Sequence, residues 1–135
     1  MDKPLTIFDV AGRAMSAQLV RMNTTASNLA NAGGVAGTQA DAYRSMKPVF
    51  KTSYDKATGL ATVDVKQVVT AGPMPTKRHD PNHPMADKDG NVWDAGVDSA
   101  AELVEMLETA RQYQNIAQVL QTAKTLTLDT IRMGK

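Results

Sequence analysis

The chain has 135 residues, a formal net charge of +1 and no cysteine. Near-neutrality excludes the electrostatic footprint of a protein that binds nucleic acid or an anionic membrane surface. The missing cysteine excludes a disulfide framework, a thiol nucleophile and a Cys-type zinc site.

The length is that of one domain. Aromatic residues are 4% against 42% hydrophobic overall, so Ala, Val, Leu and Met supply most of the apolar content, which suits helix seams better than a bulky core. No stretch is long and apolar enough to span a bilayer. No cleavable leader is read after Lys3–Pro4, where polar residues interrupt the apolar run.

Thr6, with Asp9 three residues on, starts the first predicted helix, and Asp9 stands where the helix dipole favours an anion. Ile7, Ala11, Met15, Leu19, Met22, Ala26 and Leu29 follow at steps of four and three, the spacing of one helical face. The helix is expected to run about 25 residues, roughly 40 Å, and to stop at Gly33–Gly34. After Asp9 the only charges on it are Arg13 and Arg21. The other polar positions are Gln18, Asn23, Thr24, Thr25, Ser27, Asn28 and Asn31. Such residues compete for their own backbone groups and keep an isolated helix poorly intact. They suit a face that is packed and hydrogen-bonded against other protein.

Gly33 to Ala42 is a small-residue linker, read as loop. Tyr43 to Tyr54 has the residues of an extended segment, with Pro48 arguing for an edge position. A turn at Asp55–Gly59 leads to Leu60–Thr70, where Val63, Val65, Gln67 and Val69 alternate as in a strand. A small hairpin follows from this. Gly72 to Asp98 is rich in Pro, Gly, Asp and Asn, and is expected to be a looped arm with turns at Asp80–Pro81 and Asp89–Gly90. Trp93 and Val92 require that the arm lie against its surroundings.

Ser99 with Glu102 reads as a capping box opening a second helix, which runs to Met133 and stops at Gly134. Leu103, Met106, Ala110, Tyr113, Ala117 and Leu120 form a heptad-like seam, continued by Ala123, Leu126, Thr130 and Ile131. From Gln112 to Ala123 there is no charge; Gln112, Gln114, Asn115, Gln118, Gln121 and Thr122 make another neutral-polar back. The predicted fold is mainly α, with the two long helices packed as a coiled-coil-like pair. Residues 1–33 and 99–135 make its axial core, and residues 34–98 form the linker, hairpin and loop arm, all within one composite domain.

No catalytic constellation is found. His79 and His83 have a spacing seen in metal sites, with Asp80 and Asp87 nearby, but prolines interrupt the interval and no third ligand stands on regular structure. Asp87, Asp89, Asn91 and Asp98 fall at calcium-loop positions, yet the required glycine is displaced to Gly90 and the final Glu is absent. Both segments read as turns. Gly33, Gly34 and Gly37 end a helix rather than open one and form no phosphate loop. Ser16 and Ser27 lack a nearby base, and the seam methionines are core filler. Neither a metal nor any other cofactor is expected.

Ala26–Ser27–Asn28–Leu29–Ala30–Asn31 matches in order the Asn-rich N-terminal signature of the bacterial flagellar rod and hook proteins. Residues Ala110 to Asn115 and Val119 to Lys124 resemble the closing helix of that axial family. His79 to Pro84 with Asp89–Gly90–Asn91–Val92, and Tyr43–Arg44 with Pro48–Val49–Phe50, are similar to segments of its proximal rod members. The linker, Gln112 and Asp129 depart from the family pattern.

The resemblance covers nearly the whole chain. It implies a non-enzymatic rod subunit, exported by the flagellar type III apparatus without a cleaved leader and assembled in the periplasm. Its helices would line a tube that transmits torque from motor to hook and serves as export channel. The implied partners are other proximal and distal rod proteins, copies of itself, and the MS ring or export apparatus with its junction protein. Nucleic acid and small-molecule substrates are not among them.

On this reading Met15, Leu19, Met22, Leu29, Leu103, Tyr113, Ala117 and Leu120 form the seam within the chain. Asn23, Asn28, Asn31, Gln114, Gln118 and Gln121 contact other subunits. The alternative is a soluble helical adaptor or chaperone of a type III secretion system, whose helices would be ordered in the monomer. A metal-dependent enzyme built on His79 and His83 would instead carry stoichiometric metal.

Overall fold

The computed structural model describes residues 3–134. In chain order its elements are α1 (Ile7–Ala30), β1 (Val35–Ala36), β2 (Met46–Asp55), β3 (Leu60–Thr70), β4 (Thr76–His79), β5 (Asn91–Asp94) and α2 (Ser99–Met133).

Helix α1 opens with a reciprocal capping box. The Thr6 hydroxyl accepts from Asp9 N–H at 3.2 Å, and the Asp9 carboxylate accepts from Thr6 N–H at 3.0 Å. These bonds hold the Asp9 carboxyl below the usual carboxylate range. The helix ends at Ala30, three residues before the predicted stop at Gly33, and is capped by Asn31, whose amide donates back to the Ser27 carbonyl at 2.8 Å. Gly33 and Gly34 have no left-handed backbone and so do not act as the terminator.

In α2 the cap is Asp98 rather than Ser99: its carboxylate accepts from Ala101 N–H at 3.2 Å. Glu102 is therefore released from the predicted capping role, and its side chain turns inward. Gly134 closes the helix as expected.

The two helices run antiparallel. Asn28 meets Glu102, Arg21 meets Glu105, and Ile7, Val10, Ala11 and Ala14 share an apolar cleft of about 210 Å³ with Ile116 and Val119. At 35 residues against 24, α2 outruns its partner. From Lys124 to Gly134 every residue is exposed, leaving about 15 Å of helix bare.

Strands β2 and β3 form the expected hairpin along α1, with a register shift at Val49/Phe50. Gly59 turns the corner at φ +72, its N–H donating to the Asp55 carbonyl at 2.8 Å. Pro48 lies in β2, whose second edge is unpaired, the position where a missing N–H costs nothing.

The arm is more regular than its composition predicts. Its strands β4 and β5 join β1 in an antiparallel sheet of order β1-β5-β4. Between β4 and β5 the Asp87 carboxylate accepts from the N–H groups of Asp89 and Asn91, both at 2.9 Å, an Asx turn completed by Gly90 at φ +77. Val92 is fully buried. Arg78 bridges Asp94 and Asp80, which raises its guanidinium pKa.

With about 45% helix and 25% strand, the fold is mixed α and β rather than mainly α. The long hairpin strands β2 and β3 supply most of the strand content, and the short strands β1, β4 and β5 add the rest.

The units meet at Tyr43–Met46. Ser45 N–H donates to the Gly96 carbonyl at 3.0 Å, and Gly96 N–H donates to the Tyr43 carbonyl at 2.7 Å. The N–H groups of Ala71 and Gly72 both donate to the Ser45 carbonyl at 3.0 Å. Arg44 Nε donates to the Gly72 carbonyl at 2.7 Å. A Cβ on Gly72 would lie 2.5 Å from Ser45 Cβ, and one on Gly96 would lie 2.1 Å from the Pro73 carbonyl oxygen. Only glycine permits so close a crossing of chains. This junction joins the hairpin, the small sheet and the start of α2.

Candidate assembly interface

Among the described residues the buried apolar side chains are few: Ala11, Ala17, Ala36, Pro75 and Val92. Buried polar residues outnumber them, with Thr25, Asn28, Ser45, Thr62, Glu102 and Thr109 all inside. Among the described residues every buried side-chain polar atom has a hydrogen-bond partner, so this interior avoids the cost of orphaned polar groups. The interior is thin in hydrocarbon and dense in hydrogen bonds.

Among the described residues, two side-chain hydrogen bonds join the helices. Arg21 Nε donates to Glu105 Oε1 at 2.5 Å. That hydrogen bond is the main reason the Glu105 carboxyl is held below its usual range and the Arg21 guanidinium is raised; partial desolvation opposes both.

The second contact centres on Asn28, 1% exposed. Its Nδ2 donates to Glu102 Oε2 at 3.0 Å and to the Met46 carbonyl at 2.9 Å. Its Oδ1 accepts from Tyr43 OH at 2.7 Å and from Met46 N–H at 3.0 Å. All four hydrogen-bonding positions of the carboxamide are thus filled from three other parts of the chain.

Asn28 is therefore corrected: a side chain closed inside its own chain cannot contact another subunit. Leu19 and Leu103 are also corrected. They are 43% and 54% exposed and stand outside the seam assigned to them. Met15, Met22, Leu29, Tyr113, Ala117 and Leu120 are half-buried. Asn23, Asn31, Gln114, Gln118 and Gln121 are exposed, with the Asn31 amide engaged locally by Ser27.

The buried line on α2 runs through Glu102 and Thr109, one position away from the predicted Leu103–Ala110 line, and one residue turns a helix face by about 100°. Tyr43 and Glu102 are not among the predicted contact residues, Glu102 being read only as a cap. For Glu102 the signal is spacing, since Glu102, Thr109 and Ile116 recur every seven residues; Tyr43 has none.

Outside the chain's own contacts, α2 presents Leu103, Val104 and Leu107, and further on Leu126, Leu128, Ile131 and Met133, all exposed. In the arm, His79 Nδ1 lies 3.2 Å from Asn91 Oδ1, and His83 Nδ1 accepts from Met85 N–H at 3.0 Å. Both rings are engaged in loop structure.

Residues 8–37 match the family model of the flagella basal body rod protein, and residues 88–133 match that of the flagellar basal body rod FlgEFG protein C-terminal region. These spans contain Asn28 and Glu102, the two ends of the interhelical bond. Over 133 residues the chain is 41% identical to the flagellar basal-body rod protein FlgC of Salmonella typhimurium, covering 97% of this chain and 98% of that protein. It is 38% identical to FlgC of Yersinia enterocolitica over 132 residues, with the same shares covered. Against FlgC of Agrobacterium fabrum it is 31% identical over 137 residues, covering 100% of this chain and 98% of the relative. With identity at this level running from end to end, through both helices and the β units between them, the chain belongs to the FlgC family of flagellar basal-body rod proteins.

Proposed function

We propose that this chain builds the proximal part of the flagellar rod, a tube of packed helices that carries torque from motor to hook and leaves a channel for export. At the coarser level, it is a structural subunit of the basal-body rod that assembles with other rod proteins, and it is not an enzyme. Family membership does not favour the adaptor or chaperone reading.

The observation that carries the finer reading is the bare apolar surface of α2. Leu103, Val104, Leu107, Leu126 and Ile131 are exposed on a chain whose own interior holds few apolar side chains. Surface of this kind marks a contact with another protein. A contact between unlike patches repeats without closing, which yields a helical tube.

In this reading the helical segments 1–33 and 99–135 form the axial core and residues 34–98 face outward, within one composite domain. The subunit-facing set comprises Asn23, Asn31, Gln114, Gln118 and Gln121, joined by Leu19 and Leu103. Copies of the same chain and the neighbouring rod proteins take the apolar faces. The MS ring, the export apparatus and its junction protein lie at the base, within the periplasmic part of the structure.

The test is deletion of the gene, with basal bodies imaged by electron cryotomography and motility scored. A membrane ring without a rod, restored by the intact gene, is the expected result. Intact rods and swimming cells in the deletion strain would refute the reading.

A further inference from the structure

We propose that the Asn28 carboxamide is the positioning residue that locks the helix pair and the hairpin into one rigid body. Its four hydrogen bonds reach α2 at Glu102, the junction at Tyr43, and the first residue of β2 at Met46. No other side chain among the described residues joins both helices and the hairpin in this way.

Only an amide fits. Aspartate has no donor for Glu102 or for the Met46 carbonyl, and alanine leaves the Glu102 carboxylate, 7% exposed, and the Met46 backbone without their partners. The neighbouring contacts are poor substitutes. Arg13 reaches Thr62 at 3.5 Å and Asp64 at 3.4 Å across an exposed surface. Arg21 donates to Glu105 on α2 and to Gln18 on its own helix, so it joins the two helices without reaching the hairpin. Asn28 is short, and its bonds reach both α2 and the hairpin.

The hairpin converts this local fixation into a large displacement. Strand β2 starts beside Asn28 and extends ten residues to the turn, about 30 Å. A rotation of about 10° at Met46 therefore moves the tip by about 5 Å. The consequence for torque rests on the rod-subunit reading: force entering the outer unit reaches the helices through a stiff joint rather than a hinge.

The absence of cysteine allows clean spin labelling of the full chain at Lys56→Cys in the turn and Gln114→Cys on α2, both exposed. Double electron–electron resonance should give one narrow distance. Asn28→Ala should at least double the width of the distribution while the circular-dichroism helix signal is kept. Tyr43→Phe should give an intermediate width. Glu102→Gln, which keeps an acceptor oxygen, and Asn31→Ala, whose amide bonds only within α1, should match the parent.

An unchanged width in Asn28→Ala would overturn the proposal, as would a broad distribution in the parent. If Asn28→Ala does not fold, Tyr43→Phe decides: parental width sinks the proposal. The measurement reads the purified monomer, so its outcome is separate from whether the chain complements a rod-deficient strain, which tests the rod reading.

Discussion

The two halves of α2 are built to different rules. The first half, from Ser99 to Leu120, is held by its own chain through Glu102, Glu105, Thr109 and Ile116, and most of those contacts are polar. The last part, from Lys124 to Gly134, is entirely exposed, although it carries Leu126, Leu128, Ile131 and Met133. A solitary globular protein would reverse this, burying the leucines and exposing the glutamate. Hydrogen bonds with directional geometry fix where the helix points, while the apolar side chains at its end stay exposed. The comparison separates mutations that harm the chain from mutations that harm only what it builds.

The largest effect on the chain belongs to Asn28→Asp. It places a carboxylate 3.0 Å from Glu102 Oε2, in a buried place with no cation bonded to either group, and it removes both donors. A loss of about 3–5 kcal/mol is expected, as for a broken buried charge network. Urea unfolding of the full chain measures it, and a loss below about 1 kcal/mol would mean that water reaches the pair.

Next comes the junction that anchors the start of α2. Gly96→Ala drives a Cβ toward the Pro73 carbonyl oxygen, and Gly72→Ala drives one against Ser45 Cβ. Backbone atoms cannot yield as a flexible side chain would, so each should cost about 2–3 kcal/mol. Gly12→Ala, with nothing within 4 Å of its added Cβ, is the matched control and should be neutral or slightly stabilising.

The Arg21–Glu105 pair gives a smaller, pH-dependent effect. The Glu105 carboxyl is held below its usual value by Arg21, so the folded state binds its proton less readily than the unfolded one. Its contribution is complete above the unfolded pKa of about 4.5 and is lost as pH falls through the lower folded value. Because both side chains are partly exposed, at 18% and 36%, the contribution stays below about 1 kcal/mol. Glu105→Gln should flatten the acid limb of a stability–pH profile between about pH 5 and pH 3. A limb of unchanged slope would assign it to other carboxylates.

What was legible in the sequence follows the same division. The Thr6–Asp9 cap, the hairpin strand Leu60–Thr70 and the stop at Gly134 rest on local rules, and the structure has them where those rules put them. The sheet of β1, β4 and β5 was not legible, because four-residue strands bonded through the main chain leave no side-chain period to read. The seam was misplaced for a different reason. Apolar periodicity selects Leu19 and Leu103, whereas the face that closes within the chain carries Asn28, Glu102 and Thr109. Met15, Met22, Leu29, Tyr113, Ala117 and Leu120 are half-buried as their periodicity predicts, but hydrophobicity cannot single out the polar side chains that close the interior between them. Asn28 and Asn31 show the limit most plainly: the same residue type, three apart in one motif, with one amide closing the interior and the other capping a helix.

The smallest effect on stability should come with the largest effect on assembly. Leu126→Ser with Ile131→Ser changes side chains that are 62% and 54% exposed, touching neither Asn28 nor the junction. Monomer stability should stay within about 0.5 kcal/mol of the parent, as for surface substitutions. If this end of α2 docks on neighbouring subunits, the double variant should nonetheless fail to restore motility to a strain lacking the gene. Leu103→Ser with Leu107→Ser extends the same logic to the apolar stripe beside Glu102, where a modest stability cost is expected because those residues flank the packed half. Wild-type swimming in the Leu126 and Ile131 double variant would make the exposed end of α2 dispensable. The assembly surface would then have to lie along the packed half, among Leu19, Leu103 and Leu107.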